Sequence, residues 1–333
     1  MPSEANALRQ QLRAAGVAPG AIRAVWPEWW SNEAELSRSA VAQLKYTVAR
    51  RLGLSPRSLF DGPPRFVWKD EAKFKNLGAQ SDQELAILTS FGVAVGRCAV
   101  DGTGQGAPLP RGVTAEMLRD VVLASSPIIG LRELLGLCWS FGIPVIQLAL
   151  FPLARKRMHA ITVQVRGRYA ILVGRASKFP APVAYIVAHE LGHIVLRHVV
   201  DSAALVEAED PLTTRNPDNE EAAADRFALE LLTGDPAPVV QSNEPRFTAG
   251  QLAEAARIAS ADYRIDPGVL ALCLGHSTGH WRQAFGALKI LPPGEVDVGA
   301  GVNALAKSQL DWASLSLENR DFLITVMGEL GES

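Results

Sequence analysis

Apolar residues in the first hundred positions recur with the three- and four-residue spacing of amphipathic helices. Those from Val41 to Leu52 share one helical face, and Gly53 follows as a stop signal. Ser55-Pro56 then supplies a capping side chain and a first-turn proline for a second, short helix. The pattern predicts a helical region over residues 1–100 that contains a helix-turn-helix arrangement.

A stretch without formal charge, residues 134–154, has the length of a membrane-spanning helix. Gly142 and Pro144 interrupt it near its centre, where they would break such a helix. The better interpretation is a buried helix over residues 131–141 followed by a strand over 145–150. We therefore expect no membrane segment.

Alternating apolar and polar residues predict a β-hairpin, with strands over residues 160–165 and 169–173 and a turn at 166–168. Two prolines then introduce a helix that reaches about residue 200, and helical spacing returns after Pro236. The predicted class is α+β and predominantly helical, with a short β-sheet.

Changes in composition divide the chain into four regions. Residues 101–112 contain four glycines and two prolines and are the predicted linker. A helical, helix-turn-helix-like region over 1–100 precedes it. The region with the candidate chemistry covers 113–245, and a helical C-terminal region covers 246–333.

The net charge of -2 argues against a protein that coats nucleic acid with a broadly basic surface. Residues 38–75 nevertheless carry nine basic and three acidic side chains, which is typical of a solvated basic face or of a DNA contact. Residues 201–235 carry ten acidic and two basic side chains and are either a solvated loop or a contact for a basic repressor.

Three cysteines are widely separated and form no C-x-x-C pair, so we expect reduced, buried thiols. The first residues show no basic segment followed by an apolar core, as a signal peptide would. Both observations favour the cytoplasm.

The strongest chemical signal is His189-Glu190-Leu191-Gly192-His193, in an apolar helix. Its two imidazoles project from one face, within reach of a single metal ion, in the H-E-x-x-H arrangement. The His and Glu content makes a chance match rarer than about one in a hundred such chains. A metal would explain a buried glutamate, and Gly192 would let another backbone approach closely. The alternative is two core histidines and an accidental glutamate.

A catalytic zinc needs a third protein ligand and an open position. A helix predicted to begin at Asn216-Pro217 offers Glu221 and Asp225, four residues apart on one face. Glu221 would bind the metal while Asp225 orients a ligand histidine. Glu220 is the other candidate ligand, and both glutamates could instead serve the helix dipole. The neighbouring alanines would allow close packing against the histidine helix.

Roughly residues 130–290 resemble the ImmA/IrrE family of metallopeptidases. The resemblance is carried by Gly142-Ile143-Pro144-Val145, Ala188-His189-Glu190-Leu191-Gly192-His193 and Glu221-x-x-Ala224-Asp225-x-Phe227-Ala228-x-x-Leu231-Leu232. It implies a small thermolysin-like zinc metallopeptidase core, with Zn²⁺ bound by His189, His193 and Glu221. It also implies that Glu190 is the general base and that the substrate is a helix-turn-helix repressor or antitoxin, in gene regulation or stress response.

Other features leave alternatives open. A different class of function is a non-catalytic, zinc-containing regulatory protein that binds DNA, through residues 38–75, or a protein partner. Tyr185 and His198 could stabilise an oxyanion, although a structural role is favoured for each. The predicted hairpin could offer a free strand edge to an extended peptide. Two further groups are interpreted as structural: His276 with His280, and the tryptophans Trp26, Trp29 and Trp30.

Overall fold

The computed structural model describes residues 3–68, 72–75, 81–154, 158–199, 204–207, 219–244 and 246–328. Within these ranges the protein is α+β and mostly helical, which confirms the predicted class. The α-helices are α1 Glu4–Ala14, α2 Pro19–Ala24, α3 Arg38–Leu52, α4 Ser58–Asp61, α5 Asp82–Asp101, α6 Ala115–Leu123, α7 Leu131–Ser140, α8 Pro180–Val195, α9 Asn219–Thr233, α10 Ala249–Tyr263, α11 Pro267–Thr278, α12 Trp281–Ile290, α13 Val298–Gln309 and α14 Leu317–Met327. Short 3₁₀ helices cover Ala34–Leu36 and Trp312–Ser314.

The described strands form one mixed sheet in the order β1-β5-β3-β4-β2. They are β1 Ala72–Lys75, β2 Val145–Gln147, β3 Ala160–Val165, β4 Arg168–Val173 and β5 Ala204–Glu207. The pairs β1–β5 and β2–β4 are parallel, whereas β3 is antiparallel to both of its neighbours. The sheet therefore combines a local hairpin with strands from distant parts of the chain.

The predicted hairpin is confirmed as β3 and β4. Its turn is the two residues Arg166 and Gly167, both with positive φ, at 50° and 78°. Positive φ at both positions is the requirement of a type I′ turn, whose twist matches that of the strands. The strand predicted over 145–150 is shorter and ends at Gln147.

Two hydrophobic cores lie on opposite faces of this sheet. The first contains α1 to α5, α13 and α14 side chains, together with Ile161 and Val163 of β3. The second contains apolar side chains of α6 to α13, together with Ile171 and Val173 of β4. Because successive strand residues point to opposite faces, one hairpin contributes to both cores.

Helix α5 is, among the described residues, the one helix long and apolar enough to cross a membrane, but 83% of its most apolar window is buried inside the fold. Gly92 and Gly96 bring it against the sheet. A Cβ at position 92 would lie 2.8 Å from Cδ1 of Ile161, and one at 96 would lie 3.0 Å from Cβ of Val163. Burial against the sheet therefore accounts for its apolar composition.

The first and last regions of the chain share one core. Arg51 of α3 donates to the backbone oxygens of Val25 and Trp26 and to that of Glu318, at the start of α14. The predicted linker is packed as well, because Ala107 N donates to Ser140 O at 2.9 Å. The division into four regions stays a prediction.

The helix-turn-helix arrangement is found only in part. The first helix is α3, but α4 is a single turn of four residues. A recognition helix lies along the major groove and needs more than one turn to present its side chains. Arg51 is buried, and Arg50 and Lys45 pair with Glu318 and Glu4. Four of the described basic residues are exposed: Arg50, despite its pairing, and Arg38, Arg57 and Arg65.

Parts of the two charged segments lie outside the described residues. For the basic segment these are residues 69–71 and the side chains of β1. For the acidic segment they are residues 201–203 and 208–218, which include the predicted helix start at Asn216-Pro217.

The outer edge of β2 is closed by a side chain of α13. The Asn303 amide accepts from Gln147 N at 2.9 Å and donates to Gln147 O at 2.9 Å. The same amide nitrogen donates to Met327 O, at the end of α14, at 2.8 Å. The buried asparagine thus binds the backbone of β2 as a neighbouring strand would.

The expectation that the hairpin offers a free strand edge is wrong. Strand β5 pairs with residues 160–163 on the outer side of β3, and β2 pairs with residues 171–173 on the outer side of β4. Sequence reasoning missed this because β5 is only four residues long and its partner is distant in the chain.

Candidate metal centre

The two helices that carry the candidate ligands are packed closely together. Helix α8 begins with Pro180 in its first turn, and α9 begins with two acidic residues, as the helix dipole favours. A Cβ at Gly192 would lie 3.3 Å from both the Cα and the carbonyl oxygen of Ala224. The absence of a side chain at Gly192 therefore permits the approach that the sequence predicts.

The helices bring His189, His193 and Glu221 into one buried group that could hold a metal ion. The Nε2 atoms of the histidines lie 3.0 Å apart, and they lie 3.3 and 3.4 Å from the two Glu221 carboxylate oxygens. Bonds of about 2.0–2.1 Å in a tetrahedral zinc site place ligand atoms about 3.4 Å from one another. The residues present therefore fit a small cation with three protein ligands and one open position.

Glu221 is the carboxylate that reaches the histidines, and Glu220 is outside this group. Both stand in the first turn of α9, but Glu221 is 3% exposed whereas Glu220 is half-buried. The sequence argument that placed Glu221 and Asp225 on one helical face accounts for the difference.

His189 is oriented by Asp225, which lies one turn after Glu221. The Nδ1 atom of His189 is 2.9 Å from Oδ1 of Asp225. Tyr185 donates its hydroxyl proton to the same carboxylate oxygen at 2.7 Å. A carboxylate at Nδ1 holds the imidazole in the tautomer that leaves Nε2 available to a metal. Tyr185 thus acts on the far side of His189 from the metal position.

His193 is contacted on its Nδ1 side by His198. The chain turns back at Arg197, a non-glycine residue with φ of 62°, so that His198 N donates to His193 O at 2.9 Å. The two Nδ1 atoms lie 2.8 Å apart. A left-handed residue of this kind costs about 1–3 kcal/mol and is retained where the surroundings require it. Like Tyr185, His198 contacts a candidate ligand histidine on its Nδ1 side, away from the Nε2 atom that could bind a metal.

Glu190 points to the sheet, where Thr162 of β3 donates its hydroxyl proton to Oε2 of Glu190. Both side chains are completely buried. Thr162 is the residue that sequence reasoning missed. Its only signal is a polar residue in a strand of apolar neighbours, and nothing local relates it to position 190.

The other polar and aromatic groups lie elsewhere. The ring of His276 packs edge-on against Trp281, and that of His280 packs against Phe247. The three N-terminal tryptophans contact one another through edge-on ring pairs, and two of them pack on the first core. These observations agree with the structural interpretation of both groups.

Comparison with known proteins gave no significant match to a family model, to a curated protein or to a solved structure. The conclusions about function therefore depend on the residues and geometry of this chain.

Proposed function

We propose that the protein is a zinc-dependent endopeptidase that acts on a protein substrate. The observation that carries this proposal is the buried group of His189, His193 and Glu221, whose donor atoms have the spacing of a three-ligand site. Two imidazoles and one carboxylate are a common donor set of hydrolytic zinc sites with an open fourth position. The thermolysin-like character of the core belongs to this proposal.

Glu190 adjoins a ligand and carries a carboxylate that can accept and return a proton. When bound, a zinc ion supplies a Lewis acid that polarises a carbonyl and makes a water molecule acidic near about pH 7. Glu190 then takes the proton from the attacking water and delivers it to the leaving amine. Thr162 donates to one oxygen of this carboxylate and so holds Glu190 in position.

The proposed substrate is a helix-turn-helix repressor or antitoxin in the cytoplasm, and the proposed role is gene regulation or stress response. The support for this part is the resemblance to the ImmA/IrrE family in the residues around the two helices. A purified helix-turn-helix repressor is the first substrate to test.

Metal content tests the site directly. We expect about one equivalent of zinc per chain, by elemental analysis of protein purified without added metal. Glu221→Gln should lose most of the zinc, whereas Glu220→Gln, the matched control one residue away, should retain it. Equal loss of zinc in both variants would contradict the assignment of Glu221 as the third ligand. If the unaltered protein holds no zinc, even after zinc is offered, the metal site itself is contradicted.

Hydrolysis tests the chemistry. With reduced, carboxymethylated casein as an unstructured substrate, Glu190→Gln should retain zinc and lose at least about a hundredfold in rate, as expected for a general base. An unchanged rate would exclude Glu190 from that role. Activity that persists after zinc removal would point to a contaminating peptidase.

The complete burial of the metal donors favours a second candidate, a zinc-containing regulatory protein without turnover. His189 and His193 are 0% exposed. Such a protein would bind DNA through residues 38–75, where Arg38, Arg57 and Arg65 are exposed, or would bind a protein partner. Gel-shift measurements over a salt series, comparing the triple Arg→Gln variant with the unaltered chain, decide whether phosphate contacts form there.

A further inference from the structure

The edge of β3 beside Glu190 is occupied by the protein's own chain. Strand β5 pairs antiparallel with it, in the register Ala160–Glu207, Ile161–Val206, Thr162–Leu205 and Val163–Ala204. Strand β5 belongs to the connection between the two metal-site helices, α8 and α9. An extended peptide that adds to a sheet edge makes the same kind of main-chain pairing.

The register places β5 next to the strand residue that binds the proposed general base. Leu205 is directly opposite Thr162, whose hydroxyl binds Glu190. Directly opposed residues in a sheet present their side chains on the same face. Leu205 therefore lies on the face of the sheet that carries the metal site, and its side chain is 0% exposed.

A peptide carbonyl that is to reach the metal donors needs access that the described structure does not give. His189, Glu190 and His193 are 0% exposed, and Glu221 is 3% exposed. Displacement of β5 would free the backbone of residues 160–163 and remove Leu205 from beside Thr162. Strand β1 pairs with the other side of β5, so displacement of β5 would carry β1 with it or break their pairing.

We propose that β5 is an internal occupant of the peptide-binding edge of β3, and that an extended substrate segment binds by replacing it. This inference rests on the proposed peptidase function, since it names how that function is held in check and which substrates it accepts. The substrate is an unfolded segment with a medium-sized apolar side chain opposite Thr162. A folded helix does not fit this edge.

A reversible disulfide tests the exchange without disturbing the metal site. Val163 is flanked in one row by Ala170 of β4 and Ala204 of β5, and all three lie in the core on the face away from Glu190. Val163→Cys with Ala204→Cys fastens β5 to β3. Val163→Cys with Ala170→Cys is the matched control, because it shares one substitution and fastens strands that stay paired. Mass spectrometry measures the fraction of protein in which each disulfide has formed.

The readouts are binding and cleavage. Binding uses a fluorescein-labelled peptide of residues 202–208, Ser-Ala-Ala-Leu-Val-Glu-Ala, with protein that also carries Glu190→Gln. Cleavage uses carboxymethylated casein. In the Val163→Cys/Ala204→Cys protein, the β5 pair, we expect oxidation to reduce peptide binding and casein cleavage by at least about tenfold, with recovery in reductant. In the Val163→Cys/Ala170→Cys protein, the control pair, oxidation should leave binding and cleavage unchanged.

The outcomes separate the two proposals. Equal peptide binding by the oxidised and reduced β5 pair, or no binding by the reduced protein, overturns the exchange. Binding that depends on reduction, in a protein whose unaltered form cleaves no casein, supports the exchange and contradicts the peptidase function. Reduction-dependent binding together with reduction-dependent cleavage supports both.

Discussion

Helices α5 and α8 are both buried, and both pack against the central sheet, on opposite faces. Helix α5 buries apolar residues and the two hydroxyl residues Thr89 and Ser90. Helix α8 buries two imidazoles and a carboxylate in its C-terminal half, all at 0% exposure. Apolar burial stabilises a fold without further conditions, whereas buried ionisable groups need partners. The comparison indicates that α5 serves stability, whereas α8 carries two of the three groups that could hold a metal ion.

The largest expected effect is on the α5 side. Phe91 is 1% exposed, and its ring packs edge-on against Phe322 of α14 at 6.2 Å. Phe91→Ala should lower the free energy of unfolding by about 3–5 kcal/mol, because it leaves a cavity between two regions of the chain. Urea unfolding in the presence of a metal chelator measures this loss of stability. A loss below about 1 kcal/mol would contradict the assignment of α5 to stability.

Zinc should stabilise the α8 side by a comparable amount. At a free zinc concentration about a thousand times the Kd, binding to the folded state alone adds about 4 kcal/mol to the free energy of unfolding. Phe91→Ala should retain this increment and His193→Ala should lose it. Zinc-dependent stability that survives in His193→Ala would place the binding site elsewhere.

A smaller effect is expected from glycines at close contacts. Gly192→Ala should cost about 1–3 kcal/mol and weaken zinc binding, because the new methyl group would push Ala224 and the rest of α9 away. Gly136 of α7 is the control, since a Cβ there meets nothing within 4 Å. Gly136→Ala should stabilise the protein by about 0.5–1 kcal/mol. Equal effects at both positions would mean that α8 and α9 are not closely packed.

Thr162 allows a finer test of the polar face. Thr162→Val removes the donor to Glu190 at almost constant volume, and Thr162→Ser keeps the donor. We expect a fall of about tenfold in kcat with little change in KM for the valine variant, and recovery in the serine variant, if Thr162 positions the general base. Equal rates in both variants would leave Thr162 without that role.

The smallest effect concerns the thiols. Burial raises the pKa of Cys98 on α5 to about 12, and it does the same for Cys138 and Cys273. At pH 8 all three are therefore protonated and shielded, and a thiol reagent should label none of them until the protein unfolds. Rapid labelling of Cys98 in the native protein would show that the α5 core opens easily.

The sequence predicts those parts of the molecule whose signals are local. Helix α7, the β3–β4 hairpin and the histidine pair of α8 each follow from spacing within one element. The choice of Glu221 over Glu220 as the candidate third ligand follows from its spacing to Asp225, although it needs the assumption that α8 and α9 meet. The turn at Arg166 and Gly167 is also visible, within one residue.

The parts that sequence reasoning missed depend on contacts between distant residues. Strands β1 and β5 have four residues each, and their partners are set by the packed sheet. The approach of Thr162 to Glu190 joins a strand to a helix 28 positions later in the chain. The position of His198 against His193 depends on an arginine in a conformation that usually favours glycine.

The amide of Asn303 has a consequence for the solubility of partly folded or shortened chains. By binding both backbone groups of Gln147, it occupies hydrogen-bonding positions through which a second molecule could add a strand. A chain that ends before α13 would present this row of β2 to its neighbours in solution. Such a fragment should self-associate, and an added peptide that contains α13 should reverse the association. That result would show that one side-chain amide protects the chain against aggregation.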